Sequence, residues 1–595
     1  MIVRERITKL REQMKKHQID IYIVPTADFH QSENVGAHFK AREYITDFTG
    51  SNGTAVFTQD KAGLWTDGRY FIQAEQELSG SGVELYRMFE PDVPTILEFI
   101  KSELPVGGKV GFDGRVVGIK EGENYFKEAI KNEGSIVFNL DLVDTIWTER
   151  PDLPGALAYP FDEKYSGEST SSKLQRVREK MKERGATVHL LTSIDDIGWL
   201  LNFRGEDIKH VPFTLAYLAV WLDRVDLYAV KAKFSPEMLQ KFARDNVHIH
   251  PYDGLYEDIK VYPTSDVLLI DPRRFNYTLY ASVPEGVQVI QEENPTILMK
   301  AIKNETEVSH TRQAHIKDGV AMTKFTYWLK NHPRQETITE LSAAKKIEEL
   351  RRQSTDCLSL SFDSICAYRE HAALAHYAST EESNVPLTGD GLFLTDSGGH
   401  YLQGSTDITR TYAIGTITAQ QKEQFTLVVM GMLHMSNASF LYGCNGRNLD
   451  YAARRVFWKR GLDYKHGTGH GVGHVGCIHE PPISIAWQKR EVEAPPFEEY
   501  MIVSNEPGIY IEGSHGIRIE NELLVRKGIE NEYGQFMYFE ALTFAPIDLD
   551  AINPEIMSAE EKGMLNNYHQ MVYDKISPHL DMNEQKWLRD YTREI

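Results

Sequence analysis

Asp396 and Asp407 stand eleven residues apart in GLFLTDSGGHYLQGSTDITRTY, whose flanks read as β-strands. Further along come four histidines in HGTGHGVGHVGCIHEPP (His466, His470, His474 and His479). Glu506 follows in MIVSNEPGIYI, then Glu520 and Glu522 in IRIENELLV. These carboxylates stand next to glycine or inside apolar, strand-like runs. Several carboxylates and an imidazole brought to one point repel one another, and burying them unpaired is expensive. Bound cations remove both penalties, and two divalent ions so held would support metal-assisted hydrolysis.

The local patterns sharpen this. A hairpin turning at Ser397-Gly398-Gly399 sets Asp396 beside Asp407. His466 and His470 are four apart, as in a zinc-binding helix, but Gly467, Gly469, Gly471 and Gly473 make a helix unfavourable. Those glycines suit a loop where backbone closely approaches a ligand or metal. Not all four histidines can be ligands. In IRIENELLV, Ile517 and Ile519 point one way and Arg518 and Glu520 the other. Glu522 shares the second face, so periodicity does not choose between the two glutamates. Arg518 is placed to orient a neighbouring carboxylate. Oxygen-rich ligands favour Mn²⁺ or Co²⁺ over thiolate-bound zinc.

The elements that must position these residues fall in the last part of the chain. Helical patterns over 305–330, 336–351, 418–440 and 447–460 alternate with strand-like LSFDSICAY, GLFLTDSG, YMIVSNEPGIYI and GIRIENELLV. That is an α+β region, expected over 305–545. Residues 546–595 read as a helical extension, with Ser558 and Glu561 as its capping box. Before it lies an internal repeat. LREQMKKHQIDIYIVPTADF, from Leu10, matches VREKMKERGATVHLLTSIDDI, from Val177, with Asp28 against Asp195. Tyr44, Asp47, Phe48 and Gly50 match Trp199, Asn202, Phe203 and Gly205. Each copy reads as an α/β domain with a mixed sheet, expected over 1–155 and 172–300.

Bulk properties exclude several classes. At 595 residues the chain exceeds a single core. A net charge of −21 argues against a nucleic-acid partner. No stretch approaches the roughly 18 apolar residues that span a bilayer, and the N-terminal segment lacks the apolar core of a secretory signal. A cytoplasmic protein is expected. Cys357, Cys366, Cys444 and Cys477 form no CxxC pair and read as reduced thiols.

In this order the motifs resemble those of the aminopeptidase P (Xaa-Pro aminopeptidase) family of pita-bread metallopeptidases, in its long three-domain form. The resemblance covers nearly the whole chain: YIVPTADFHQSE and WTDGRYF first, IDDIGWLLNFRG next, then AHY, the two aspartates, HGTGHGVG, HE, SNEPG and GIRIEN. It implies two creatinase-like N-terminal α/β domains and an α+β pita-bread catalytic domain. It implies that Asp396, Asp407, His470, Glu506 and Glu520 hold two divalent ions, Mn²⁺ foremost with Co²⁺ or Zn²⁺ as substitutes, and so selects Glu520 over Glu522. It further implies substrate roles for Arg69, His376, His470, His479 and Glu506, with His376, His479 and Glu506 catalytic. The expected reaction is hydrolysis of the N-terminal Xaa-Pro bond by a hydroxide bridging the ions, in a homodimer.

Two features complicate the match. Ahead of AHY the chain reads AYREHAAL, putting Glu370 and His371 where a Gly/Asn-containing loop is expected in many relatives. The second copy of the repeat reads LYAVKAKF where the first reads LWTDGRYF, leaving Arg69 without a basic counterpart. The rival readings are an Xaa-Pro dipeptidase (prolidase), disfavoured by the duplicated N-terminal region, and a peptide-binding module without catalysis, disfavoured by the complete ligand set. Methionine aminopeptidases would not need the preceding 300 residues, and creatinases lack the ligands.

Overall fold

The computed structural model describes residues 1–332, 337–489 and 492–595. The chain forms two compact units, Met1–Asp162 with Glu168–Thr296, and Glu163–Gly167 with Ile297–Ile595.

The first unit contains the repeat. Its opening helix, Val3–His17, buries Val3, Ile7, Leu10 and Met14 at helical spacing and stops at Gln18, whose φ is 57°. The matching helix, Thr170–Arg184, buries Leu174, Val177 and Met181 and stops at Gly185, φ 73°. In both copies the next residue returns its N–H to the helix, Ile19 to Met14 O and Ala186 to Met181 O. One stop signal therefore serves both, and glycine meets its left-handed geometry without strain. Each copy then builds a six-stranded mixed sheet. The first is ordered Glu84–Arg87, Ala62–Thr66, Thr54–Phe57, Ile21–Pro25, Lys109–Phe112, Ser135–Val137. The second is ordered Val247–His250, Val225–Tyr228, Tyr217–Trp221, Val188–Leu191, Val267–Ile270, Gln288–Gln291. Equivalent central strands pair antiparallel on one side and parallel on the other. The two copies meet at buried His30, which bonds Thr192 O at 2.8 Å and Tyr252 OH at 2.6 Å.

The second unit is α+β. A six-stranded sheet runs Ser439–Leu441, Gly534–Ala541, Asn521–Asn531, Ile502–Asn505, Gly469–Gly471, Glu480–Ile485. A three-stranded sheet pairs Ile365–Tyr368, Gly391–Ser397 and Ile408–Ile414, and a two-stranded one pairs Gly508–Ile511 with His515–Arg518. Helices Glu305–Asn331, Glu340–Arg351, Ala419–Ser436 and Gly446–Trp458 form where helical periodicity placed them. Residue 336, the expected start of the second, lies outside the described residues. The Ser558/Glu561 box caps helix Ala559–Ile576.

Three expectations need correction. The chain does not turn at Ser397-Gly398-Gly399. Asp396 pairs with Thr409 as a hairpin requires, but residues 399–405 run on as an outer hairpin whose His400 pairs with Ser359 of the Cys357–Leu360 strand. An eleven-residue connection is long enough to find its own partner strand. The glycine-rich segment at His470 is a short strand, not a loop. LSFDSICAY, YMIVSNEPGIYI and GIRIENELLV each break into two strands, because the chain leaves one sheet and joins another in mid-motif.

Candidate metal centre

Two of those breaks hold site carboxylates. Glu506 lies between Ile502–Asn505 and Gly508–Ile511, and Glu520 between His515–Arg518 and Asn521–Asn531. Asp407 precedes Ile408–Ile414, and Asp396 is the second-last residue of Gly391–Ser397. His470 is centred in Gly469–Gly471, where its pairing with Glu480–Ile485 shifts register. Its glycine neighbours are needed for close approach. A Cβ on Gly469 would meet Ser504 O at 2.0 Å, and one on Gly471 would meet Glu480 O at 2.3 Å.

Asp407, His470 and Glu520 each offer a ligand atom, and these atoms lie within 4.8 Å of one another. His470 Nδ1 is 2.9 Å from Gly471 O, which can only accept, so Nδ1 carries the proton and Nε2 presents its lone pair. Nε2 stands 3.8 Å from Asp407 Oδ2 and 3.6 Å from Glu506 Oε1, too far for hydrogen bonds. Asp396 borders this trio and is held by Arg518, whose guanidinium donates to Asp396 Oδ2 at 2.5 Å, Tyr510 OH at 2.6 Å and Thr409 Oγ1 at 3.2 Å. Thr409 Oγ1 in turn donates to Glu520 Oε2 at 2.7 Å.

The electrostatics are those of a crowded anion site. Burial, then the charges of Glu520, Asp396 and Glu506, push Asp407 well above the usual carboxylate range. Burial, then Glu506 and Asp396, do the same to Glu520. Burial pushes Glu506 up to about 7, against the pull of Arg518. Asp396 Oδ1, Asp407 Oδ1 and Glu520 Oε1 are buried without a hydrogen-bond partner. An uncompensated buried carboxylate costs roughly several kcal/mol. Three such carboxylates, two of them clustered with the His470 imidazole, fit divalent cations.

The remaining predicted residues divide. Glu522 faces away from the trio: its carboxylate accepts the Asp407 N–H at 2.6 Å and meets His315 Nε2 at 3.1 Å. His466 donates from Nδ1 to Gly467 O and accepts from Tyr510 OH at 3.0 Å. Burial pushes its imidazole down to about 3, so it is neutral. His474 bonds Thr311 Oγ1 at 3.2 Å. His479 is exposed, its ring edge-on to His470 at 4.4 Å between centroids. His376 is exposed on the turn after Arg369–Ala373, near enough for its charge to depress His466 further. His371, in the segment expected to depart from the family pattern, bonds Glu340 at 2.9 Å and stacks on Tyr377 at 4.6 Å. Tyr377 OH also bonds Glu340, at 3.0 Å, so the departure ties down the turn carrying His376.

Arg69 lies in the first unit, where Asp67 accepts its backbone N–H and the Nε and Nη2 hydrogens along one edge of its guanidinium. The same lock recurs at Asp113–Arg115 and Asp271–Arg273, each immediately after a strand. The lock is therefore a strand-end device of this fold and does not by itself mark a substrate residue. Sequence reasoning missed His315 and Thr409. The alternation in ITRTY signals Thr409, whereas His315 on an amphipathic helix carries no signal.

Residues 6–141 and 149–307 each match a Creatinase/Prolidase N-terminal domain. Residues 309–527 match metallopeptidase family M24, and 535–595 match the C-terminal region of peptidase M24. Xaa-Pro aminopeptidase 2 of Sus scrofa is 36% identical over 606 residues, covering 99% of this chain and 89% of the relative. Aminopeptidase P2 of Arabidopsis thaliana is 36% identical over 637 residues, covering 100% and 89%. Among solved structures, X-prolyl aminopeptidase of Caenorhabditis elegans, described as a cytosolic enzyme with a di-nuclear active site, superposes with a TM-score of 0.95 at 32% identity. That match covers 100% of both chains.

Proposed function

This chain belongs to the Xaa-Pro aminopeptidases of metallopeptidase family M24, with two creatinase-type α/β domains before a pita-bread catalytic domain, and on that premise we propose how its residues share the work. Asp396, Asp407, His470, Glu506 and Glu520 hold two divalent ions. The observation that carries this is the clustering of Asp407, His470 and Glu520 ligand atoms within 4.8 Å, together with buried carboxylate oxygens of Asp396, Asp407 and Glu520 that have no hydrogen-bond partner. Such ions polarise a peptide carbonyl and supply hydroxide at neutral pH. The oxygen-rich donors favour Mn²⁺, with Co²⁺ or Zn²⁺ as substitutes.

The chain's own groups do the rest. Arg518 fixes Asp396, and Thr409 fixes Glu520, so neither carboxylate can rotate away. Glu506, 3.6 Å from His470 Nε2, can take up a proton at its carboxylate and deliver it to the departing proline nitrogen. The exposed imidazoles of His479 and His376 donate to the scissile carbonyl oxygen as it gains charge. Proline's tertiary amide has no N–H, so a pocket shaped for its ring selects it in second position.

A homodimer is the expected assembly. The exposed aromatic cluster Tyr451, Trp458 and Trp487 supports it as an apolar face to cover. Among the described residues no helix is long and apolar enough to cross a membrane, and a cytoplasmic location accords with the cytosolic relative.

The test is Asp407→Asn, assayed by metal content and hydrolysis of Arg-Pro-Pro. Wild type should carry two ions per chain, and the variant should lose metal and at least about a hundredfold in rate. Near-wild-type turnover with normal metal content would overturn the assignment. Turnover of Xaa-Pro-Pro over Xaa-Pro separates the aminopeptidase from a dipeptidase.

A further inference from the structure

Arg410 is fully buried and spends its guanidinium in two directions. Toward the metal centre, Nη1 donates to Thr409 O at 2.8 Å and Glu520 O at 2.7 Å, and Nη2 donates to Asn521 Oδ1 at 2.8 Å. Toward the C-terminal segment, Nε donates to Pro546 O at 3.2 Å, while Nη2 reaches Ala545 O at 2.9 Å and Tyr568 OH at 2.8 Å. Tyr568 lies on the Ala559–Ile576 helix, is buried, and has Ala545 O at 2.9 Å to receive its own proton. Arg410 thus bridges the backbone that carries Glu520 and Thr409 to a helix more than a hundred residues away in sequence.

Packing runs the same way. Ile517 and Ile519, on the opposite face of the strand from Arg518 and Glu520, lie in one apolar core with Leu565, Tyr568, Val572 and Ile576. The C-terminal helix therefore backs the segment whose other face forms the metal centre. The apolar contact seats the helix, and the polar one, through Arg410, fixes the backbone of Glu520 and Thr409.

We propose that the C-terminal segment is a positioning element of the metal centre, with Tyr568 acting through Arg410 to fix the Glu520 and Thr409 backbone. This rests on the ligand assignment above. The bridge needs a planar fork, because Arg410 serves six acceptors in fixed directions, which a lysine ammonium cannot do. Groups that orient metal ligands in this way typically contribute about 10–100-fold in metal affinity.

The experiment measures Mn²⁺ affinity by titration calorimetry on the full chain and, after Co²⁺ loading, the visible absorption spectrum. Tyr568→Phe should weaken Mn²⁺ binding by about tenfold and shift the Co²⁺ bands. Arg410→Lys should do at least as much and gives the same reading if Tyr568→Phe does not accumulate. The double variant should show less than the sum of the two effects, since both act on one network. Leu565→Ala is the control: it removes packing from the same core without touching Arg410, so it should lower the melting temperature and leave Mn²⁺ affinity within about twofold. The proposal is overturned if Tyr568→Phe and Arg410→Lys bind Mn²⁺ like wild type with an unchanged Co²⁺ spectrum, or if Leu565→Ala weakens binding as much as they do. Failure of wild type itself to bind two ions would instead overturn the ligand assignment.

Discussion

Glu522 Oε1 accepts the backbone N–H of Asp407 at 2.6 Å, and its other oxygen lies 3.1 Å from His315 Nε2. All three residues are buried. Glu522 thus fixes the peptide of one carboxylate while its own charge is met by His315 and kept away from the ions.

Glu522→Gln keeps the shape of this support and loses its charge. An amide cannot accept strongly from both partners, so Asp407 gains freedom. Mn²⁺ affinity should fall about tenfold with little change in KM for Arg-Pro-Pro. Titration calorimetry checks it, and unchanged affinity would assign Glu522 to structure alone.

Arg518→Met removes the cation that holds Asp396 and Tyr510. Breaking a buried charged pair costs about 3–5 kcal/mol. Chemical denaturation in excess Mn²⁺ should show a loss of that order, and a loss below about 1 kcal/mol would mean the ions alone neutralise Asp396.

The stability of the metal-free chain should be dome-shaped in pH. Asp407, Glu520 and Glu506 have raised pKa values on folding. They contribute stability below the unfolded carboxylate range near ~4, which is lost as pH rises through the folded values, about 7 for Glu506. His466 and His569, pushed down to about 3 by burial, act oppositely. They contribute stability above ~6.5 that is lost as pH falls toward their folded values. Three carboxylates outweigh two histidines once pH passes the unfolded carboxylate range, so melting in chelator should peak between about pH 4 and 5 and decline above it, and added Mn²⁺ should flatten only the alkaline side. A melting temperature still rising from pH 7 to 9 without metal would contradict the carboxylate half.

Gly471→Ala puts a methyl group where Glu480 O stands, 2.3 Å away between paired strands. Backbone cannot yield there as a side-chain tip would. The variant should lose about 4 kcal/mol or fail to accumulate, whereas Gly563→Ala, at an open helical position with no atom within 4 Å, should fold. Expression and melting of the pair decide it.

Much of this was legible in the sequence because the signals were local. The helix of the first repeat shows its buried face through the helical spacing of Ile7, Leu10 and Met14. The capping box at Ser558 was readable for the same reason. The sheet breaks were not. GIRIENELLV looks like one strand, since alternation of Ile517, Arg518, Ile519 and Glu520 is the same on either side of a sheet crossing. The outer hairpin at 399–405 stayed hidden because its partner, Cys357–Leu360, pairs across distant sequence. Glu522 and Glu520 share a face by periodicity, and contacts from distant sequence, His315 and the Asp407 N–H on Glu522 and Thr409 on Glu520, distinguish their roles.

The placement of Asp407, Glu506 and Glu520 at crossings between sheets has a consequence for inheritance. At those positions the side chain is chosen by the chemistry, while the flanking strands keep their own pairing whatever stands in between. Architecture and reactivity are therefore written in separate letters. A descendant of this chain can exchange all three acids for neutral residues, keep the fold, and turn the same site to a different trade.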